Sequence, residues 1–218
     1  MQNVFKLDNE NKIFYKTLLT LCIPIIIQNL LSTLINMVDT IMVGGLGEIS
    51  VAAIGIANQY FFLYNMALSG IIGGAGLFIA QFFGKNDKDN IRKITALSVI
   101  SAVILGIVFS LIAIFTPKFI INFFSYDESV IKIAVNYFLI IGFCYPIIAI
   151  SNVFSMGSRS IRNPKLGMIC SSISLGINII LNYIFIFGKF GMPTLGASGA
   201  ALATVISRII ELILLISY

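Results

Sequence analysis

The sequence predicts an all-α membrane protein of six transmembrane helices, and three observations carry that prediction. Residues are 58% hydrophobic and only 11% charged, against about a quarter charged in soluble domains, and mean hydropathy is +1.01. Long apolar runs recur along the whole chain, each near or above the ~20 residues that cross about 30 Å of hydrocarbon. Between them, Lys and Arg gather in alternate connections.

The runs cover Thr17 to Val43, Val51 to Phe83, Ile94 to Phe115, Val130 to Gly157, Leu166 to Phe187 and Ala197 to Tyr218. Residues 1–16 read as a polar N-terminal segment and 17–218 as one six-helix lobe. Lys6, Lys12 and Lys16, then Lys85, Lys88, Arg92 and Lys93, then Arg159, Arg162 and Lys165 make the first segment and the second and fourth loops basic. The other loops offer Lys118, Lys132 and Lys189. The positive-inside rule then puts the N-terminus in the cytoplasm, as expected for a multi-pass protein of a bacterial plasma membrane. The first run is too long for a signal-peptide core and no small-residue cleavage site follows it, so it is expected to stay in the mature protein.

The net charge of +5 lies in these loop clusters and gives no nucleic-acid surface. Cys22, Cys144 and Cys170 all lie in apolar runs, odd in number and without metal spacing, and read as packing residues. Pro24 and Pro146 fall within spans, where each removes a backbone hydrogen bond and is expected to kink its helix. The third connection, PKFIINFFSYDES, is rich in Phe and reads as a short interfacial segment. Small residues in IIGGAG and GASGAA let neighbouring helices approach closely.

Asp39 is the costly residue of the first span. A charged Asp near a helix centre costs roughly 2.5–3.5 kcal/mol on insertion scales, so it is expected to face protein or water. At about 100° per residue, Gln28, Ser32, Asn36 and Asp39 share an arc of roughly 80°. Asn58, Asn65, Ser69, Gly73 and Gly76 share a face of the second span, and Ser171, Ser174, Asn178 and Asn182 one of the fifth. Three wet faces suggest a shared cavity, although hydrogen bonding between helices with no ligand also accounts for an isolated Asn or Ser. At 1.5 Å per residue, Asp39, Asn182, Asn178 and Thr204 lie roughly 6, 8, 14 and 10 Å from the outer ends of their spans. A carboxylate, two amides and a hydroxyl at similar depth suit a proton or Na⁺ site. In the sixth span Arg208 and Glu211 stand at i, i+3 and read as a mutually neutralising pair.

Enzyme chemistry finds little support. GASGA resembles the nucleophile motif of rhomboid intramembrane proteases, but the chain has no His to activate Ser198. No glycine loop ending in Lys-Ser/Thr is present to hold ATP.

MVDTIMVGGLGEISVAAIGIANQ, FFSYDESVIKIAVNYFLIIG, GSRSIRNPK and NIILNYIFIFG followed by GASGAALATVIS stand in the order and spacing of the multidrug and toxic compound extrusion (MATE) transporters, which the chain resembles over nearly its whole length. The resemblance implies a secondary antiporter that expels amphipathic, often cationic, compounds in exchange for H⁺ or Na⁺, with no other cofactor. It gives Asp39 the role of cation-site aspartate, with Asn178, Asn182 and Thr204 beside it. Some members carry Asp at the position Asn182 matches, so one titrating carboxylate is expected here. The resemblance implies twelve helices in two lobes, so this chain is expected to need a second lobe, from a longer protein or a second copy. Two alternatives remain: a flippase for lipid-linked precursors, for which Arg208 is the candidate anion ligand, and a non-transporting membrane scaffold.

Overall fold

The computed structural model describes residues 9–217, with side chains from Lys12 onward. Lys6, which contributes to the basic N-terminus, and Tyr218 lie outside the described residues. Among those described, every regular element is an α-helix: α1 (Asn9–Gly44), α2 (Glu48–Gly84), α3 (Lys88–Phe115), α4 (Pro117–Asn122), α5 (Glu128–Ile141), α6 (Cys144–Ser160), α7 (Pro164–Phe187) and α8 (Ala197–Ile216). Five of these are long and apolar enough to cross a membrane, and α5 with α6 makes a sixth crossing when the bent pair is taken as one span.

That pair is where the structure departs most from a set of simple spans. α5 and α6 meet at 50°, so the fourth span is broken rather than gently kinked. Pro146 has no N–H, and its ring crowds the carbonyl four residues back, that of Gly142. The interruption falls at Gly142 and Phe143. Other helices hold the break in place. The Tyr64 hydroxyl donates to the Tyr145 carbonyl at 2.7 Å, and Gly106 of α3 comes so close that a Cβ there would lie 2.9 Å from the Pro146 Cα. The Tyr64 and Tyr145 rings meet edge to face with centroids 4.9 Å apart, a favourable arrangement for aromatic quadrupoles. Pro24, by contrast, lies inside α1, which continues through it as one helix.

The third connection forms α4, a short helix that starts at Pro117 and buries Ile120 and Ile121 while Phe119, Phe123 and Tyr126 stay exposed. This fits the interfacial reading of that stretch. Helix ends are set by local chemistry. Asp87 caps α3 by accepting from the Asn90 N–H at 3.1 Å, and Asp127 caps α5 through the Ser129 N–H at 2.8 Å. Gly188 closes α7 in the left-handed region with φ 65°, where a side chain would be strained.

Three helices frame the polar interior. α1 and α7 run parallel, because Gln28 meets Ser171 and Asp39 meets Asn182 with the same offset of 143 residues. α8 runs antiparallel to α7, pairing Glu211 with Ser171 and Thr204 with Asn178. Close approach of α8 rests on small residues. A Cβ on Gly199 would lie 2.7 Å from the Phe185 backbone, and Ala200, Ala201 and Ala203 are fully buried beside it. Leu, Ile and Phe side chains such as Ile23, Leu30, Ile100 and Ile104 cover the outer faces, as hydrocarbon contact requires.

Candidate functional site

Two polar centres occupy the bundle at different levels. The first lies toward the C-terminal end of α1. Asp39 is 2% exposed, and its carboxylate is held from two helices: the Asn182 amide donates to Oδ1 at 2.6 Å and the Thr204 hydroxyl to Oδ2 at 2.7 Å. Asn182 also donates to Asn178 Oδ1 at 3.1 Å, and Asn178 donates to Thr204 Oγ1 at 3.3 Å. The four residues singled out by depth in the sequence therefore form one connected group. Asn178 and Asn182 share a face of α7 at i, i+4, and Thr204 reaches them because α8 is narrow at Gly199 and Ala203.

The donors offered to Asp39 are neutral, and Asn182 Oδ1 is buried with no hydrogen-bond partner. One carboxylate surrounded by amide and hydroxyl oxygens is chemistry for a proton or a hard monovalent cation. Among the described residues no group of three or more His, Cys, Asp or Glu side chains comes together, so the nitrogen and sulfur ligands that transition metals favour are not assembled.

The second centre lies roughly 10 Å further along α8, by the rise from Thr204 to Glu211. There a cavity of about 390 Å³ opens between α1, α2, α6, α7 and α8. Arg208 Nη1 and Glu211 Oε2 pair at 2.8 Å, as their i, i+3 spacing suggested. The second Glu211 oxygen accepts from the Ser171 hydroxyl at 2.7 Å. Arg159 Nε and Nη2 donate to Gln28 Oε1 at 3.0 and 2.7 Å, and Gln28 Nε2 donates to Ser155 Oγ at 3.3 Å.

Of the residues expected to line a cavity, Gln28, Ser32, Asn36 and Asn65 do so. Asn58 instead borders a chamber of about 20 Å³ together with Asn36, Thr204 and Arg208, room for about one water. Two expectations are corrected. The Ser174 hydroxyl is sealed between α7 and α8, donating to the Ser207 carbonyl at 3.0 Å. Ser69 is exposed and donates to Met66 of its own helix at 2.7 Å, because a helical serine can satisfy itself on the preceding turn without facing a cavity. Asp39 borders neither the cavity nor the chamber.

Sequence reasoning missed the α6 wall: Ser151, Asn152, Ser155 and Arg159 all line the cavity. The signal was present as Ser151, Ser155 and Arg159 at successive i, i+4 steps, but Arg159 was counted with the basic loop that follows. Arg208 is accordingly not the sole guanidinium at the cavity.

Comparison with known proteins agrees with this architecture. A family model described as MatE matches residues 24–184. The chain is 32% identical over 208 residues to the multidrug resistance protein NorM of Vibrio cholerae, covering 92% of this chain and 44% of the relative. With a probable multidrug resistance protein NorM of Neisseria meningitidis it shares 30% identity over 192 residues, 87% of this chain and 41% of the relative. Superposition on a crystal structure of MATE in the bent conformation gives a TM-score of 0.83 at 27% identity, over 92% of this chain and 44% of that one. An outward-facing multidrug resistance MATE family transporter of the MOP superfamily gives 0.79 at 28% identity, with the same coverage. This chain thus spans less than half the length of the relatives it matches. By its fold, its polar interior and the match over residues 24–184, the chain belongs to the MatE family.

Proposed function

We propose that this chain forms one lobe of a multidrug efflux antiporter of a bacterial plasma membrane, with its N-terminus cytoplasmic, exchanging H⁺ or Na⁺ for amphipathic compounds, cationic ones among them. A second six-helix lobe completes the transport path. The observation that carries the reading is Asp39: a carboxylate 2% exposed, bridged at 2.6 and 2.7 Å to side chains of two other helices. Such a group is expensive in a membrane unless it has a use. Family membership and the names of the relatives support the efflux role.

A cation reaching Asp39 competes for the oxygens that bind Asn182 and Thr204. Occupancy therefore weakens the hold of α7 and α8 on the C-terminal half of α1. Separation of Asp39 from the cavity suits exchange, since ion and substrate occupy different places and communicate through α1. Thr204, which binds Asp39 Oδ2, also borders the small chamber, so the chamber adjoins the Asp39 group.

A flippase for lipid-linked pyrophosphates fits less well. Of the two guanidiniums at the cavity, Arg208 is already paired with Glu211, and a pyrophosphate carries more negative charge than Arg159 alone offsets. A non-transporting scaffold gives Asp39 no role.

The test uses inside-out vesicles containing the full-length protein, with imposed H⁺ or Na⁺ gradients and a fluorescent cationic dye outside. Dye accumulation that follows one of the two gradients and collapses with its ionophore is expected. Accumulation indifferent to both gradients would sink the antiport reading.

A further inference from the structure

We infer that the groove between α4 and α5 binds an aminophospholipid of the phosphatidylethanolamine type, with Lys118 and Lys132 on its phosphate and Glu128 on its amine. Which leaflet supplies the lipid rests on the orientation proposed above; the site itself does not.

Apolar contact locks the two helices together, Ile120 and Ile121 of α4 joining Val130 and Ala134 of α5 in the buried core. Beside this contact lies a groove of about 440 Å³. Lys118 and Asn122 stand one turn apart on its α4 wall, and Glu128, Lys132 and Asn136 stand at successive i, i+4 steps on its α5 wall. Arg208 and Glu211 form the one ion pair among the described residues, so both lysines and Glu128 are open to a ligand. The groove takes no part in the polar interior, which α1, α7 and α8 frame.

The order of these groups along α5 is that of a phospholipid along the membrane normal. From the start of the helix inward come an anion, a cation and an amide, each about 6 Å beyond the last by helical rise. A phosphatidylethanolamine presents an ammonium, then a phosphate, then the ester carbonyls of its chains. Glu128 meets the first, Lys132 and Lys118 close on the second, and the Asn136 amide donates to the third. Asn136 is exposed and lies roughly 9 Å inside the span that begins at Val130. An amide left without a partner at that depth faces hydrocarbon, which is costly. α4 sits at the matching level, since Phe119, Phe123 and Tyr126 are exposed on it and just after it, as in a segment lying in the interface. Ile131 and Val135 line the groove between the polar groups and give the chains an apolar surface. The amine decides the headgroup: phosphatidylcholine offers Glu128 no N–H, and phosphatidylglycerol offers it no positive charge.

The test replaces Phe123, exposed beside Asn122, with the photoreactive residue benzoylphenylalanine in the full-length protein. Nanodiscs hold equal parts of phosphatidylethanolamine, phosphatidylglycerol and phosphatidylcholine, with the same acyl chains and the same mixture in both leaflets. Neither orientation nor transport then enters the result, so failure of the efflux reading leaves it unchanged. After irradiation, the lipid attached to the protein is identified by mass spectrometry. The ethanolamine lipid is expected to exceed each of the others by roughly 10-fold or more, the yield of one charge-assisted hydrogen bond. Glu128→Gln alone, and Lys118→Gln combined with Lys132→Gln, should each remove this excess at unchanged thermal stability, because all three side chains are exposed. Equal adducts without these substitutions, an excess of either other lipid, or an ethanolamine excess that survives Glu128→Gln or the double substitution overturns the site.

Discussion

Replacing Asp39 by Asn separates the structural and coupling roles of this side chain. The carboxylate accepts bonds of 2.6 Å from Asn182 and 2.7 Å from Thr204. Asn keeps the shape and one acceptor; its amide N–H can turn to Thr204, whose hydroxyl accepts as well as donates. What is lost is charge assistance, about 1 kcal/mol for each bond as the difference between charged and neutral hydrogen bonds. Removal of a buried charge from an apolar setting offsets part of that loss, so folding and dye binding should change little. Coupling is another matter. Exchange of one H⁺ or Na⁺ for one monovalent cationic dye moves no net charge, so the ion gradient alone drives it: a 10-fold gradient supplies about 1.4 kcal/mol, enough for about a 10-fold concentration ratio of dye. With no group left to take up H⁺ or hold Na⁺ beside a negative charge, the variant should concentrate dye less than about 2-fold under the same gradient. The assay is gradient-driven dye accumulation in inside-out vesicles, paired with equilibrium binding of the same dye. A variant that binds dye normally and still reaches the wild-type accumulation ratio would refute the assignment of Asp39 as the coupling residue.

Other outcomes follow from packing and capping. Gly199→Val places side-chain atoms against the Phe185 backbone, 2.7 Å from the position a Cβ takes; overpacking of this kind costs about 1–3 kcal/mol. The variant should unfold at lower temperature and lose coupling, since Thr204 moves with α8, whereas Gly73→Ala, with open space around it, should match the wild type in both assays. At the link between α2 and α3, hydrogen bonds from Asn90 hold the Asp87 carboxyl below the usual carboxylate range. A lowered folded-state value stabilises the cap above the unfolded value of about 4 and is lost as pH falls through the folded one. Protease nicking of this link should therefore be faster in Asp87→Ala than in the wild type at neutral pH, and the difference should vanish in acid.

The sequence disclosed the first centre more fully than the second, for a physical reason. A carboxylate, two amides and a hydroxyl inside apolar runs are conspicuous because each must find a partner, and counting 1.5 Å steps from the span ends brings Asp39, Asn178, Asn182 and Thr204 to one level. Periodicity says which residues share a face; it does not say what covers that face. Ser174 lies on the same stripe as Asn178, yet α8 seals it, and Ser69 is satisfied by its own helix. Arg159 escaped notice because a charge at the end of an apolar run looks the same whether it points to water or folds back onto Gln28. The fourth span shows a similar limit. Pro146 marks a weak point in the helix, but the 50° bend depends on Gly106 of α3 and on the Tyr64 hydroxyl, contacts that hydropathy does not register.

The parallel register of α1 and α7 links the two centres mechanically. Gln28 and Asp39 stand about three turns apart on α1, and each is tied to α7 at the same offset. In the proposed exchange, a cation at Asp39 competes with Asn182 and Thr204 and so frees one end of this stretch. The other end is held twice, since Gln28 Nε2 donates to Ser171 of α7 at 3.5 Å while its Oε1 accepts from Arg159 of α6. Gln28 is also close-packed on Gly167, where a Cβ would lie 2.5 Å from its amide nitrogen. The Asp39 end can therefore loosen while the Gln28 end stays tied to both α6 and α7. In that proposed exchange, α1 then pivots about the Gln28 level, beside the cavity, so that ion occupancy at Asp39 is felt where substrate would bind.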